Sequence, residues 1–535
     1  MPGFEDTIVV SLDAQVDTPV HVSRLRSVLA SHPDRDLVNH VLRGLTYGFD
    51  IGVEGALGPG SRSNNFSALK NKELVSVALQ QEIRNRCISG PYVVPPLVNF
   101  HCSPITAVAK PNKSVRLILD MSAPRGDALN EFIDPDKFSC HYSSFDTAVD
   151  MIVGIGKGAF MCKLDLKNAF RLCPVRQQDW HLLGFRWEGQ FYFYVRLPYG
   201  SRSSPHIFNN LADLLCWVFT AVCGIPSSEH YLDDYLLAAQ THSVCSQFLL
   251  KATDMCGFLG VPLSSEKIVG PATSLTYLGI KIDSVLFTVS LPQEKLDKLK
   301  LSVHAWHRKS SCTKKELLSL IGFLSFACKV VRPGRIFLRR LIDLSTLGVS
   351  LSSTIVVTDE AQLDILWWRD FIDDWNGREM ILARSCTSAE LSFYTDASTL
   401  GMGAVFGSHW FMHPWPASYA LKHINILELL AIAAALLTWG VHYSDLDLVV
   451  FTDNKPITQI WLSETTKDRN IMKIIRYLFF FLAKCNLNVR LQRIYGYSNT
   501  HADSLSRLQV HTVKISRFHE NPTMVPTNVW RILDA

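Results

Sequence analysis

Seven carboxylates stand in this chain where a charge is costly. Asp165 closes the apolar stretch FMCKLDL (160–166), and Asp233 and Asp234 sit side by side inside YLDDYLL (231–237). Asp396 ends LSFYTD, and Glu428 interrupts the apolar NILELLAIAAALLTW (425–439). Asp453 ends LDLVVFTD, and Asp503 lies in GYSNTHADSLSR (496–507). An ionised group in an apolar segment is unfavourable unless it meets a cation or another partner. Carboxylate oxygens alone suit Mg²⁺, with Mn²⁺ as the alternative. Two such ions, about 3.5–4 Å apart, would stabilise both the attacking and the leaving oxygen of an in-line phosphoryl displacement. The pattern therefore predicts a two-ion site from Asp165, Asp233 and Asp234, and a second set, Asp396, Glu428, Asp453 and Asp503, that calls for a metal or another partner.

The elements that must position these groups are readable from periodicity and turn residues. Helical spacing covers 17–48 (Val22, Leu25, Leu29, then Leu37, Val41, Leu45), and GVEGALGPGSRSNNFS (52–67) reads as a loop. A helix is expected over 73–86, an extended Pro-broken stretch over 91–111, and strands over 115–120 and 160–166. A glycine turn, GIGKG (154–158), precedes the second of these strands and lacks the spacing of a phosphate-binding loop. Beyond it come a strand over 191–197, an apolar helix over 205–219 and a hairpin over 229–239. Residues 292–345 read as all-helical, with basic residues Lys295, Lys298 and Lys300, and 346–390 as a mixed connector. From residue 391 the pattern becomes strand, glycine turn, strand, helix, strand, helix, which marks a separate α/β unit.

Composition bounds the class. The 535 residues carry 53 Lys+Arg and 49 Asp+Glu, a net charge of +4, with 47% hydrophobic and 19% charged residues. That excludes a mainly disordered chain and leaves room for several cores. The 13 cysteines include no CxxC pair, which favours a reduced, intracellular protein without zinc. MPGFEDTIVV shows no charged-then-apolar leader, and the uncharged run Leu214–Ser228 is short for a membrane span.

In order along the chain, Lys110-Pro111, VRLILDMSAP (115–124), LDLKNAF (164–170), LPYGSRSSPHIFN (197–209), YLDD, LSSEK (263–267) and YLGIKID (277–283) resemble the fingers and palm of a reverse transcriptase. The resemblance implies that Asp165 and Asp233 ligate both metals with Asp234 assisting. It implies that Lys110 and Arg116 meet a deoxynucleoside triphosphate, and that Phe170 blocks a ribose 2′-OH. It further implies that Gly200 lets backbone approach the template–nucleotide pair and that Lys267 protonates leaving pyrophosphate. Tyr199 departs from the glutamine usual in retroviral enzymes. The second set of acids resembles ribonuclease H, with RIYG (493–496) where a loop histidine is often found and His501 only two residues before Asp503.

SHPDRDLVNHVLRGLTYGFDIG (31–52), HWFMHPWP (409–416) and GYSNTHADSLSR are similar to the polymerases of tyrosine-recombinase retrotransposons of the DIRS/Ngaro type. The implied fold is a multi-domain α+β and α/β chain. It comprises an N-terminal extension (1–75), right-hand fingers and palm (76–292), a helical thumb (293–345) and a connection (346–390). A mixed-sheet ribonuclease H-like domain (391–508) and a tail (509–535) complete it. The implied activity is RNA-directed DNA synthesis with cleavage of RNA in RNA–DNA hybrids. Expected partners are an RNA template, a DNA primer, the hybrid and dNTPs, with no membrane. No protease triplet precedes the polymerase motifs and only 27 residues follow Leu508. DNA joining is therefore expected from a separate recombinase or integrase chain. A nucleic-acid-binding relic, or a nuclease with a silent polymerase, are the rival readings of the same motifs; the presence of all seven acids opposes the first.

Overall fold

The alternation in FMCKLD buries four of its six residues, so strand Phe160–Asp165 runs through the middle of a sheet. In the computed structural model that sheet has the order Val269–Ala272, Phe160–Asp165, Asp234–Ala239, Ser228–Tyr231, all antiparallel. Helices Phe145–Ile155, Ser204–Trp217 and His242–Leu259 pack against these strands. A second sheet joins Gly60–Ser61, His101–Cys102, Gly184–Trp187, Gln190–Tyr194 and Ile88–Tyr92, and Ile105–Ala109 pairs with Val115–Leu119 as a hairpin. The residues described are 14–55, 60–110, 113–124, 126, 128–140, 142–375, 384–386, 393–443, 446–464, 466–485, 487–510, 518–519 and 521–533. Among them, no helix is long and apolar enough to cross a membrane, and the cysteines are free thiols.

The chain divides into two compact units, Met1–Leu278 with Asp283–Val285, and Gly279–Ile282 with Leu286–Ala535. The division differs from the six segments expected. The N-terminal segment is no appendage: helices Val22–Val28 and Arg35–Tyr47 bury Leu25, Leu29, Val38, Val41 and Leu45 in the same core as Leu164 and Tyr235. The break between the two helices follows from Pro33 and from Asp34, whose carboxylate accepts the Leu37 N–H at 2.9 Å as an N-cap.

In the second unit, helices Gln293–Trp306, Lys314–Ala327 and Arg339–Ser345 match the all-helical expectation except at Ser311–Thr313. That short strand pairs with Thr354–Val356 and ends in the capping box of Thr313 and Glu316. Lys295 is half-buried. Its ammonium donates to the Gly279 carbonyl at 3.0 Å and lies 4.1 Å from the Phe326 ring centroid. Helix Asp359–Trp375 carries Asp364, 1% exposed, which binds Arg340 at 3.2 Å and Arg476 at 3.5 Å. Arg476 belongs to helix Arg469–Lys484 of the C-terminal sheet domain. One buried carboxylate held by two guanidiniums thus ties helices Arg339–Ser345, Asp359–Trp375 and Arg469–Lys484 together. The expected boundary at 390/391 lies outside the described residues.

The C-terminal sheet pairs Leu446–Thr452 in parallel with Arg384–Cys386, with Tyr394–Ala397 and with Asn488–Arg493. Tyr394–Ala397, Gly401–Phe406 and His409–Pro414 form an antiparallel meander. Helix Ile424–Trp439 is buried at every position from Ile426 on, as an element apolar on all faces must be. The tail is docked too: Trp410 Nε1 donates to the His519 carbonyl at 2.8 Å, and Tyr419 Oη to that of Trp530 at 2.6 Å. A chain beginning at residue 76 should lose the cooperative melting transition of the first unit, because it leaves the partners of five buried aliphatic side chains exposed; an unchanged transition by differential scanning calorimetry would contradict this packing.

Candidate active sites

Backbone pairing makes neighbours of the first three acids, although their carboxylate oxygens do not all come within 4.8 Å of one another. Asp234 stands opposite Asp165 in the antiparallel register, and the Leu166 N–H donates to the Asp233 carbonyl at 3.0 Å. The turn between the hairpin strands holds Leu232 at φ 53°, a left-handed conformation unusual for a branched apolar residue. Like charges crowded on partly apolar walls resist ionisation. Burial, then the charge of Asp233, pushes the Asp234 carboxyl up to about 6. Burial also raises Asp233, against a backbone hydrogen bond and with the Asp165 charge adding to it. Asp165, 4% exposed, accepts Ser264 Oγ at 2.8 Å and the Lys267 ammonium on both oxygens, at 2.9 and 2.8 Å. Burial alone would lower Lys267, but its bonds to Asp165 outweigh that and leave it above the ordinary lysine value. Lys267, expected to meet pyrophosphate, therefore begins as the counter-ion of Asp165.

The other residues of this site line up around Tyr199. Its carbonyl accepts the Leu119 N–H at 2.9 Å, and the Arg116 guanidinium lies 4.7 Å from its ring centroid. Phe170 lies between the rings of Tyr199, at 5.2 Å, and Phe208, at 5.7 Å. Gly200 has φ 110°, and a Cβ there would overlap the Leu119 carbonyl oxygen, so only glycine fits this close approach. Lys110 is depressed by burial and then by the charge of Arg116, with Lys267 and Arg171 contributing, so several cations act on it at once.

Two supports escaped sequence reading. Arg171, 3% exposed, binds Glu82 at 2.9 Å, donates to the Leu197 carbonyl and lies 5.1 Å from the Tyr199 ring centroid. It is a buried cation against the ring of the residue before Gly200; an arginine directly after LDLKNAF was its only signal. His230 lies before YLDD: its Nε2 is 2.8 Å from Asp213 Oδ1, its Nδ1 3.3 Å from the Leu232 carbonyl, and its ring stacks on Tyr235. It braces the left-handed turn from below. Nothing in the spacing of His230 and Asp213 along the chain shows that they meet.

In the second unit, Asp396 ends one strand, Asp453 follows the strand beside it, and Glu428 comes from the buried helix. Among the described residues these three form the one group of carboxylates whose oxygens lie within 4.8 Å of one another. Burial, and then Asp453 and Asp503 against a Ser506 hydrogen bond, pushes Asp396 up to about 7. Glu428 is raised well above its ordinary value by burial and by both aspartates, and its Oε2 is buried with no hydrogen-bond partner among the described residues. Such a set fits a divalent cation, which would satisfy the orphaned oxygen and the excess negative charge. Asn499, 2% exposed, donates to Asp396 Oδ1 at 3.3 Å and to the Thr395 carbonyl at 3.0 Å. Asp503 stands apart, paired with Arg507 one helical turn on at 2.8 Å. His501 packs its ring against Phe518 at 5.3 Å.

A palm-like antiparallel sheet that presents a strand-end aspartate opposite a turn with two more is the frame of a nucleotidyl-transferring polymerase domain. Residues 108–282 match the family described as reverse transcriptase (RNA-dependent DNA polymerase), so this segment is a reverse transcriptase domain. The chain is 25% identical over 426 residues to the retrovirus-related Pol polyprotein from transposon gypsy of Drosophila melanogaster, across 76% of this chain and 37% of that protein. It is 22% identical over 473 residues to the transposon Tf2-3 polyprotein of Schizosaccharomyces pombe, across 85% and 32%. The chain thus spans about a third of the length of these relatives. A solved foamy viral protease-reverse transcriptase in complex with double-stranded DNA shares the fold, with a TM-score of 0.53 at 16% identity over 91% of this chain and 84% of that one.

The raised Asp396 gives a pH signature. Folded chain holds a proton there up to about pH 7, whereas unfolded chain releases it near pH 4, so folding stability falls as pH rises between those values. At pH 8, Mg²⁺ should raise the melting temperature of the second unit, and at pH 5 much less. Asp396→Asn should melt higher than wild type in EDTA and lose the Mg²⁺ increment; an increment retained by the variant would show that the ion binds elsewhere.

Proposed function

We propose that this chain is an RNA-directed DNA polymerase of a retrotransposon, and that its C-terminal sheet domain is a ribonuclease H acting on RNA–DNA hybrids. The observation that carries the polymerase reading is the register of Asp165 against Asp234, beside Asp233, within a reverse transcriptase domain. In this reading a primer 3′-OH attacks the α-phosphate of a dNTP, the bond to the β-phosphate breaks, and pyrophosphate leaves. Asp165, Asp233 and Asp234 would hold two divalent ions, Mg²⁺ or Mn²⁺, which when bound offset the charge that develops on the phosphate oxygens. Arg116 and Lys110 supply cationic donors for the triphosphate. Tyr199 and Phe170 form an aromatic floor where a 2′-OH would clash, and Gly200 leaves room for the template–nucleotide pair. Lys267, already charged and held on Asp165, is the donor for the leaving pyrophosphate.

The nuclease reading rests on Asp396, Glu428 and Asp453 gathered within 4.8 Å, while Asp503, on the neighbouring helix and paired with Arg507, lies outside that group. Those carboxylates would hold the second pair of ions, and selection of the RNA strand follows from recognition of 2′-hydroxyls and hybrid shape. Two finer features complete the reading: kinship with tyrosine-recombinase elements, and work inside the cell on RNA template, DNA primer and dNTPs.

The test uses the full chain. Wild type should extend oligo(dT) on poly(rA) with Mg²⁺ or Mn²⁺, and Asp233→Asn should lower extension by on the order of 100-fold or more while still cutting a labelled RNA–DNA hybrid. Asp453→Asn should do the reverse. A wild type that binds template–primer without extending it would sink the polymerase reading, and a hybrid left intact by wild type would sink the nuclease one.

A further inference from the structure

Between strand Asn488–Arg493 and helix Thr500–Ser506 runs a short turn with two large aromatic side chains in solvent. Tyr495 is 66% exposed and Tyr497 77%. Their rings lie parallel, 5° apart in plane and 5.3 Å between centroids. Tyrosines left in water forgo the burial that usually recovers their large apolar area, and two of them held parallel make an ordered surface.

The turn that carries them is fastened to the carboxylate cluster of the second unit. The Ile494 N–H donates to the Thr452 carbonyl at 3.0 Å, immediately before Asp453. Gly496, between the two tyrosines, is so near that a Cβ there would stand 3.3 Å from Asp453 Oδ2. The Ser498 and Asn499 N–H groups close the turn on the Tyr495 and Gly496 carbonyls, at 2.8 and 3.0 Å. Asn499 then anchors its far end on Asp396 and Thr395. Asp396 thus holds the turn through Asn499, and Asp453 lies against Gly496, while both rings stay outside. Arg493, opposite Thr452 in the sheet register, adds an exposed cation two residues before Tyr495.

We propose that Tyr495 and Tyr497 are a stacking platform for unpaired nucleobases of a single-stranded overhang that flanks the duplex in the Asp396–Glu428–Asp453 site. Stacking on an aromatic face accepts every base, so it holds a strand without restricting its sequence, and a neighbouring arginine serves the phosphates. The platform would set the reach of the strand relative to the acids, because the same turn bears the rings and touches Asp453. This inference rests on the nuclease reading of that site and adds its substrate contact.

The experiment compares full-length wild type with the double variants Tyr495→Ala/Tyr497→Ala and Tyr495→Phe/Tyr497→Phe. Steady-state cleavage of a labelled RNA–DNA hybrid carrying a single-stranded overhang should show KM raised about tenfold or more by the alanines, with kcat within about twofold, and near wild type with the phenylalanines. Melting with and without Mg²⁺ checks that the second unit is intact, and primer extension should be unchanged. In parallel, such hybrids with 5-iodouracil in the overhang of one strand or the other are irradiated with wild type and the adducts mapped; adducts on residues 494–498 are expected. An unchanged KM in the alanine variant, a loss confined to kcat, or adducts absent from this turn would each overturn the platform. Adducts on the turn without any hybrid cleavage by wild type would uphold the platform and remove the nuclease reading instead.

Discussion

Carboxylates forced together at the ends of paired strands are the constraint on which the rest of the structure depends. Each is brought to its place by backbone hydrogen bonds rather than by attraction between side chains, which repel one another. The ladder between Phe160–Asp165 and Asp234–Ala239 sets Asp234 against Asp165, and the parallel strands of the second unit do the same for Asp396 and Asp453. The elevated carboxyl groups, about 6 for Asp234 and about 7 for Asp396, record how unfavourable that crowding is. A sheet can sustain it because its ladder is continuous and its faces are covered by helices, so stability supplied elsewhere holds an electrostatically strained site in shape.

The two sites offset this strain differently. In the reverse transcriptase domain a protein cation does part of the work: Lys267 sits on both oxygens of Asp165. Around it lie further cations, the buried Arg171 pinned by Glu82 and the exposed Arg116 laid over Tyr199. That environment suits a polyphosphate. In the second unit the charge of Arg507 acts on Asp396 only from a distance, and Glu428 keeps a buried oxygen without a hydrogen-bond partner among the described residues. Its three oxygens are accordingly the tighter cluster. Beneath both sites, small polar devices hold the geometry: His230 under the YLDD turn, Asn499 beside Asp396.

How much was legible follows from chain distance. Asp165, Asp233, Asp234, Asp396, Glu428 and Asp453 announce themselves because each is a charge in an apolar run, a local contradiction that only a site resolves. The strands and helices that carry them, such as 160–165, 234–239 and 424–439, are visible in residue periodicity for the same reason. Arg171 looks like any surface arginine after a motif, and His230 and Asp213 are ordinary residues until a hairpin and a helix pack. The segment 14–75 carries no chemistry of its own, so its place in the core is hidden until its aliphatic positions find Leu164 and Tyr235. Asp364, the tie between three helices, looks like one more acid on a helix.

Residue types and spacing by themselves determined that this chain concentrates negative charge in two places suited to phosphoryl chemistry, and which strands and helices deliver it. That information is local: burying a charge in an apolar run is costly whatever the fold, so the exception is conspicuous. Only tertiary structure decided which charges meet which, that Lys267 rests on Asp165, that Asp503 is paired with Arg507, and that two tyrosines stand in water beside Asp453. Those outcomes depend on strand register and helix packing between residues far apart in sequence, where side-chain distances of a few ångströms separate an ion pair from two unrelated surface groups.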